Sequence, residues 1–135
     1  MTVQLRTLAE ELFAAWNDHA LDAALRLYHP DYSGRDVATG TTQSGPDEVR
    51  AWLESYWTAF PDMTFTLLET VEQDDRIALH WEAKGTHQGA LMQIPPTGRA
   101  VAFQGMSFLT VRDRHVLRGT YLFDLAGLLK ALGVL

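Results

Sequence analysis

Two side chains in the second half of the chain have types and positions that suit proton-transfer chemistry. Asp124 follows a strand-like stretch and opens a short helical pattern, so we expect it at the end of a sheet. His87 lies where another strand-like stretch ends, between Gly85 and Gly89. A carboxylate in an apolar cavity loses solvation, which raises its pKa toward the working pH and makes it a usable base and acid.

Both residues also have an ordinary structural explanation. Asp124 is a good N-cap for the helix that follows, and a cap alone and a cap with a catalytic role both stay open. The spacing around His87 by itself favours a hydrogen-bonded loop histidine. The remaining histidines are expected in turns or on the sheet surface: His19, His29, His80 and His115. No histidine spacing is typical of a metal site, so we expect neither a metal nor another cofactor.

Large aromatic rings are frequent for a chain of 135 residues. Such rings usually fill a core, but helices packed on a bent sheet need not fill the space between them. Rings and methionines would then line an apolar ligand cavity. The sequence predicts a cavity for a hydrophobic small molecule, with His87 at its rim and these residues in its wall: Trp16, Tyr32, Trp57, Met92 and Met106.

Composition excludes several other partners. The net charge is −6 and the basic residues are scattered, so we expect no nucleic-acid partner and no binding to anionic membranes. The chain has no cysteine, no signal-peptide pattern and no apolar run of membrane-spanning length. We therefore expect a single domain over residues 1–135 in the cytoplasm.

Hydrophobic periodicity changes once along the chain. Apolar residues recur three and four apart in the first part, which predicts helices from Leu5 to Trp16, from Leu21 to Tyr28, and from Pro46 to Pro61. The Gly-, Ser- and Thr-rich residues 33–45 between the second and third helices are expected to form a loop. A period of two then predicts four strands, over residues 63–72, 76–87, 100–111 and 115–123, before the last helix. This order indicates an α+β fold with helices on one face of a curved, mainly antiparallel sheet.

The register of the last hairpin decides which residue lies opposite Asp124. A two-residue turn at Asp113-Arg114 places Phe103 there, where the ring would desolvate the carboxylate. A bulge would shift the register by one and bring Gln104 there instead, where it would hold the carboxylate by a hydrogen bond. We expect Asp124 to face the cavity with a raised pKa, and both neighbours are candidate substrate-binding residues.

Several motifs together resemble one known family. The chain has a Gly-Thr-His-x-Gly element at 85–89, a Pro-Thr-Gly-Arg turn at 96–99, Asp124, and a Leu-Gly ending at 132–133. In this order they resemble the SnoaL-like polyketide cyclase (ester cyclase-like) family of the NTF2-like superfamily. The resemblance implies an NTF2-like cone with a short C-terminal helix. It implies that Asp124 is the acid and base of a cofactor-free aldol ring closure, and that His87 is a pocket residue. Four residues before Asp124, where the resemblance implies a tryptophan, this chain has Thr120 instead.

Three functions remain open at this point. The first is a cyclase or isomerase that acts on a polyketide-like carbonyl compound through Asp124, with His87 as the second catalytic candidate. The second is a non-catalytic module that binds a hydrophobic small molecule, and the third is a dimerisation domain with a vestigial cavity. We also expect a homodimer, because the outer face of the sheet should carry apolar residues beside His80, Glu82 and Lys84.

Overall fold

The computed structural model describes residues 4–135, which form four helices and six strands. Within these residues, no helix has the length and apolar character needed to cross a membrane. In chain order the elements are α1 (Leu5–Asn17), α2 (Leu21–Leu25), β1 (Tyr28–Asp36), β2 (Thr41–Ser44), α3 (Gly45–Ala59), β3 (Thr64–Gln73), β4 (Arg76–Thr86), β5 (Ala100–Arg112), β6 (His115–Phe123) and α4 (Leu125–Leu132).

The six strands form one curved, unclosed sheet in the order β2-β1-β6-β5-β4-β3. The pairing of β1 with β6 is parallel, and the other four pairings are antiparallel. Helices α1 and α3 contribute apolar side chains such as Leu12 and Leu53 to the core on the inner face of the sheet. The predicted α+β architecture is therefore confirmed, with its helices packed on a mainly antiparallel sheet.

The prediction of a loop over residues 33–45 is wrong. Strand β1 begins at Tyr28, which was expected at the end of a helix, and continues to Asp36; β2 follows after four intervening residues. Pairing with β6 on one side and β2 on the other holds this stretch extended despite its weak strand propensity. Gly34 lies opposite Gly119 in the register, and a Cβ on either would collide with the phenol ring of Tyr32 or Tyr121.

A one-residue bulge in β6 sets the direction of Asp124. Arg112 pairs with His115 as a two-residue turn requires, but Val111 pairs with Val116 and Thr110 with Arg118, so Leu117 is the extra residue. The N–H of Asp124 consequently donates to the carbonyl of Gln104 at 2.9 Å. The bulged register is the observed one, and it turns Asp124 to the outer face of the sheet.

Candidate active site

A narrow apolar cavity lies between the helices and the inner face of the sheet. Its volume is about 60 Å³, which is small beside the roughly 300–1,000 Å³ of sites for drug-sized ligands. Five of the six strands and both long helices contribute to its wall. The lining residues are Trp16, Asp36, Trp52, Leu53, Tyr56, Trp57, Met63, Phe65, Trp81, Phe103, Ser107, Tyr121 and Phe123.

Among the described residues that line this cavity, Asp36 is the one carboxylate, and its side chain is almost fully buried, with 1% of the residue exposed. Its Oδ2 accepts hydrogen bonds from the Tyr56 hydroxyl at 2.6 Å and from Trp52 Nε1 at 3.3 Å. Its Oδ1 accepts one hydrogen bond from the described residues, that of the Thr39 N–H at 3.3 Å. A carboxylate has about four acceptor positions, so Oδ1 keeps one for a proton taken from a ligand.

Local structure explains how Asp36 comes to face the cavity. Side chains alternate along a strand, so Tyr32, Gly34 and Asp36 lie on the same face of β1. Trp52 and Tyr56 are four residues apart in α3, which places both on the face that packs against β1. The carboxylate and its two side-chain donors therefore come from elements that the β1–β2–α3 connection brings together.

The Tyr56 hydroxyl remains protonated and donating in this environment. Burial, followed by the negative charge of Asp36, raises the pKa of Tyr56 above its ordinary value of 10.0. Both effects have the same physical origin, because an apolar wall and an adjacent carboxylate each disfavour a phenolate. Tyr56 therefore acts as a fixed donor that orients the carboxylate.

A pair of tyrosines adds a second polar point to the cavity wall. The hydroxyls of Tyr32 and Tyr121 lie 2.9 Å apart and share one hydrogen bond, and Tyr121 also lines the cavity. Burial raises the pKa of Tyr32 to about 12 and that of Tyr121 well above its ordinary value. Both stay neutral at physiological pH, so each hydroxyl keeps a hydrogen to donate, and the Tyr28 hydroxyl is a further partner within reach of Tyr121.

Two tryptophan N–H groups complete the polar inventory of the wall. Trp81 Nε1 donates to the Ser107 hydroxyl at 2.9 Å, which satisfies both groups inside the sheet. Trp16 Nε1 is buried and has no hydrogen-bond partner among the described residues. The buried Tyr28 hydroxyl likewise has no partner among these residues. Burial raises the pKa of Tyr28 and the nearby Trp16 indole opposes that rise, so the indole N–H is directed at that hydroxyl.

Some of the predicted cavity residues lie in the cavity wall. Trp16 contributes from α1, Trp57 from α3 and Phe103 from β5. Tyr32 is buried directly behind the wall, where its hydroxyl contacts Tyr121. The apolar character expected of the site is thus present, with rings supplied by helices and sheet alike.

Other predicted site residues lie outside the cavity. Gln104, Met106 and Asp124 are exposed on the outer face of the sheet, where Gln104 Oε1 contacts His80 Nε2 at 2.8 Å. Met92 lines a separate open groove, to which Trp52 and Tyr56 also contribute. The expectation that Asp124 faces the cavity is wrong, because the β6 bulge turns it outward and Oδ1 accepts the N–H of Gly127 at 2.9 Å as a helix cap.

His87 is fully buried but does not line the cavity. Its Nδ1 accepts the Thr97 N–H at 3.1 Å, so Nε2 carries the ring hydrogen and has no partner among the described residues. Its backbone N–H and carbonyl bond to Arg99 and Gly98. These contacts favour the interpretation of His87 as the residue that holds the 95–99 turn, and its predicted place at the cavity rim is wrong.

Sequence reasoning missed Asp36, although a signal was available. Residues 33–45 were interpreted as a loop, so no face was assigned to Asp36. If the strand is continued past Tyr32, alternation alone puts Asp36 on the same side as that buried ring. The partners Trp52 and Tyr56 give no such signal, because their approach to Asp36 depends on how α3 packs on β1.

Comparison with known families gives one match over nearly the whole chain. The family model described as SnoaL-like polyketide cyclase matches residues 6–132. A search of curated proteins finds no significant match.

Solved structures with the same fold cover this chain almost completely. AclR from Streptomyces galilaeus, provisionally assigned as a hydroxylase, is 28% identical, with a TM-score of 0.85 over 96% of this chain and 85% of that one. IdmH from Streptomyces antibioticus, provisionally assigned as a polyketide cyclase, is 27% identical, with a TM-score of 0.85 over 98% of this chain and 100% of that one. A protein of ketosteroid isomerase-like fold from Catenulispora acidiphila is 18% identical, with a TM-score of 0.81 over 95% of this chain and 93% of that one.

Proposed function

Since the chain belongs to the SnoaL-like polyketide cyclase family, we propose that it is a cofactor-free cyclase or isomerase acting on a hydrophobic carbonyl compound, with Asp36 as its general acid and base. Family membership and fold support the cyclase or isomerase role in general terms. The observation that carries the proposal is the Asp36 carboxylate, buried in the wall of an aromatic cavity and with a free acceptor position on Oδ1.

The proposed reaction begins with proton abstraction from a carbon next to a carbonyl group. Oδ1 of Asp36 takes the proton while Tyr56 and Trp52 hold Oδ2, and the electron pair of the C–H bond moves onto the carbonyl oxygen. The Tyr121 hydroxyl donates to that oxygen as negative charge develops on it. In a ring closure the enolate carbon then attacks a second carbonyl, and Asp36 returns the proton to the new alkoxide; in an isomerisation it returns the proton to another carbon.

The size of these effects is sufficient for enzymatic turnover. A positioned general acid or base contributes roughly 10²–10⁴-fold. Donors aimed at a developing oxyanion contribute about 10²–10³-fold each in a site closed to water. The aromatic wall adds a third contribution, because it fixes the orientation of a planar substrate before the proton moves.

The experiment that tests the proposal compares two aspartate variants on a small ketone. The probe is a β,γ-unsaturated cyclohexenone, whose conversion to the conjugated ketone is followed by ultraviolet absorbance, and whose α-hydrogen exchange in D₂O is followed by NMR. Asp36→Asn should reduce both rates by roughly 10²–10⁴-fold. Asp124→Asn is the matched control, because it keeps the helix cap and should keep the rates.

The sequence-based assignment of Asp124 stays a prediction that this pair of variants also tests. Loss of turnover in Asp124→Asn with retention in Asp36→Asn would reverse the assignment. Retention in both variants would refute catalysis by either carboxylate, and absence of turnover in the wild type would leave a binding function in its place. Circular dichroism of both variants checks that each remains folded.

A homodimer is also part of the proposed function. The outer face of the sheet exposes Met106, Phe108 and Leu122, at 56%, 51% and 53%. They are neighbours on one face, because Met106 pairs with Leu122 and lies two residues from Phe108. A second copy of the chain covering this outer-face patch would remove apolar area from water and stabilise the curved sheet.

A further inference from the structure

An open groove next to Trp52 and Tyr56 has the volume that the cavity lacks. The groove has a volume of about 450 Å³, against about 60 Å³ for the cavity. Trp52 and Tyr56 line both, so the two spaces adjoin at these rings. A ligand of ordinary metabolite size cannot fit in the cavity alone, so one that reaches Asp36 must extend out of it, and the groove is the adjoining open space.

The groove wall is mostly apolar but carries more polar groups than that of the cavity. Hydroxyl groups of three threonines in and after the β1–β2 turn line it, together with the amide of Gln43. Thr39 and Thr41 share a hydrogen bond of 2.9 Å between their hydroxyls, and Gln43 Nε2 donates to Thr41 Oγ1 at 3.3 Å. The backbone N–H of Thr39 in turn donates to Asp36 Oδ1. The polar part of the groove wall is therefore continuous with the proposed catalytic carboxylate.

Gln43 is the last member of this row of hydrogen-bonded side chains, and one of its atoms is unpaired. Only 3% of the residue is exposed, and its Oε1 has no hydrogen-bond partner among the described residues. Buried side-chain polar atoms are nearly always paired, and one without a partner calls for an explanation. Since Gln43 lines the groove, a group on a bound ligand can supply the missing partner.

We propose that this groove is the second half of the substrate site, and that it binds a hydroxylated arm of the carbonyl substrate through Gln43. A hydroxyl group is the chemistry that fits, because it both donates and accepts and so satisfies the buried amide whichever way the amide is turned. The substrate class is then a carbonyl compound with an apolar reacting end and a hydroxyl-bearing arm that passes Trp52 and Tyr56. This inference rests on the proposed function, which places the reacting end beside Asp36.

The test uses pairs of ketone probes that differ only at the end of a flexible arm. Each pair carries the unsaturated cyclohexenone head with an arm of the same length ending in a hydroxyl or in a methyl group, and a series of arm lengths covers the path to Gln43. At the best length, the wild-type protein should bind the hydroxyl probe about 3- to 10-fold more tightly than its methyl partner, the worth of one hydrogen bond to a neutral group. Dissociation constants are measured by titration calorimetry and KM by the absorbance assay.

Gln43→Met should abolish that preference, because it keeps an unbranched side chain of similar volume and removes the amide. Thr42→Val is the matched control and should keep the preference for the hydroxyl probe. Thr42 lines the groove but makes no side-chain hydrogen bond to Thr39, Thr41 or Gln43. Should Gln43→Met fail to fold, Thr41→Val removes the partner of the Gln43 amide and should weaken the preference.

The outcomes separate this inference from the proposed function. One outcome overturns the groove subsite alone. In that case, wild type and Gln43→Met both turn over the bare cyclohexenone, and wild type binds the hydroxyl probe and the methyl probe equally well. Binding that prefers the hydroxyl and depends on Gln43, without turnover of any probe, supports the groove and refutes the catalytic role of Asp36. A hydroxyl preference that persists in Gln43→Met overturns the role of Gln43.

Discussion

The Tyr56 hydroxyl of α3 donates a 2.6 Å hydrogen bond to Oδ2 of Asp36 in β1, and the two residues are twenty positions apart in the chain. The contact does two things at once. It ties α3 to the end of β1, and it fixes the carboxylate so that its other oxygen is directed away from the tyrosine. The site and the packing of the fold therefore share one hydrogen bond.

Tyr56→Phe should lower both stability and turnover. The variant removes the shorter of the two side-chain bonds to a buried carboxylate, and hydrogen bonds to charged groups contribute about 1.5–3 kcal/mol each. Urea unfolding should show a loss of roughly that size, and turnover of the cyclohexenone probe should fall. Glu54→Gln, an exposed change on the same helix, should change stability by less than about 0.5 kcal/mol. Wild-type stability in Tyr56→Phe would contradict the anchoring role.

The buried tyrosines should make the protein sensitive to alkaline pH. Tyr32 keeps its proton in the folded state up to a pKa of about 12, whereas its ordinary value is 10.0. Above pH 10 the unfolded chain binds fewer protons than the folded one, so the free energy of unfolding must fall as pH rises through the window from 10 to 12. One such group contributes a slope of up to about 1.4 kcal/mol per pH unit.

Tyr32→Phe isolates this contribution. The variant also loses the bond to Tyr121, so its stability will be offset at every pH, but its decline between pH 10 and 12 should be shallower than that of the wild type. Urea unfolding at a series of pH values measures the slope directly. Parallel declines in the two proteins would mean that Tyr32 does not stay protonated as its burial requires.

The outer-face patch predicts self-association. Sedimentation equilibrium should give twice the 15.1 kDa mass of the chain. Phe108→Glu places a charge in the middle of the patch and should give the monomer mass with an unchanged circular dichroism spectrum. Val37→Glu, a change at an exposed apolar residue in the turn after β1, should leave the dimer intact. A wild-type mass of 15.1 kDa at micromolar concentration would contradict the dimer.

The elements that the sequence predicted well are those with a single dominant period. The apolar stripes of α1 and α3 and the alternation in β3 to β6 each reflect a buried face, so burial can be read from spacing. The cap at Asp124 and the left-handed stop at Gly133 were also predictable, because both depend on local backbone chemistry.

The candidate site depended on two features that local patterns do not encode. Strand β1 contains a proline, a glycine and two aspartates, all of low strand propensity, and its pairing with β6 and β2 makes it a strand, so the inward direction of Asp36 was missed. The bulge at Leu117 carries no sequence signature either, because Leu117 is as apolar as its neighbour Val116. That one extra residue turns Asp124 to the outer face, so the carboxylate found in the cavity wall is Asp36.

The most direct test of Asp36 as the catalytic carboxylate is a crystal structure with a phenol bound, because a phenol is a planar analogue of an enol. We expect the ring to open the cavity and lie between Trp16, Trp57 and Phe103, with its hydroxyl within hydrogen-bonding distance of Asp36 Oδ1 or the Tyr121 hydroxyl. A phenol found instead on the outer face beside Asp124 and His80, with the cavity closed, would contradict the assignment of Asp36 as the catalytic carboxylate.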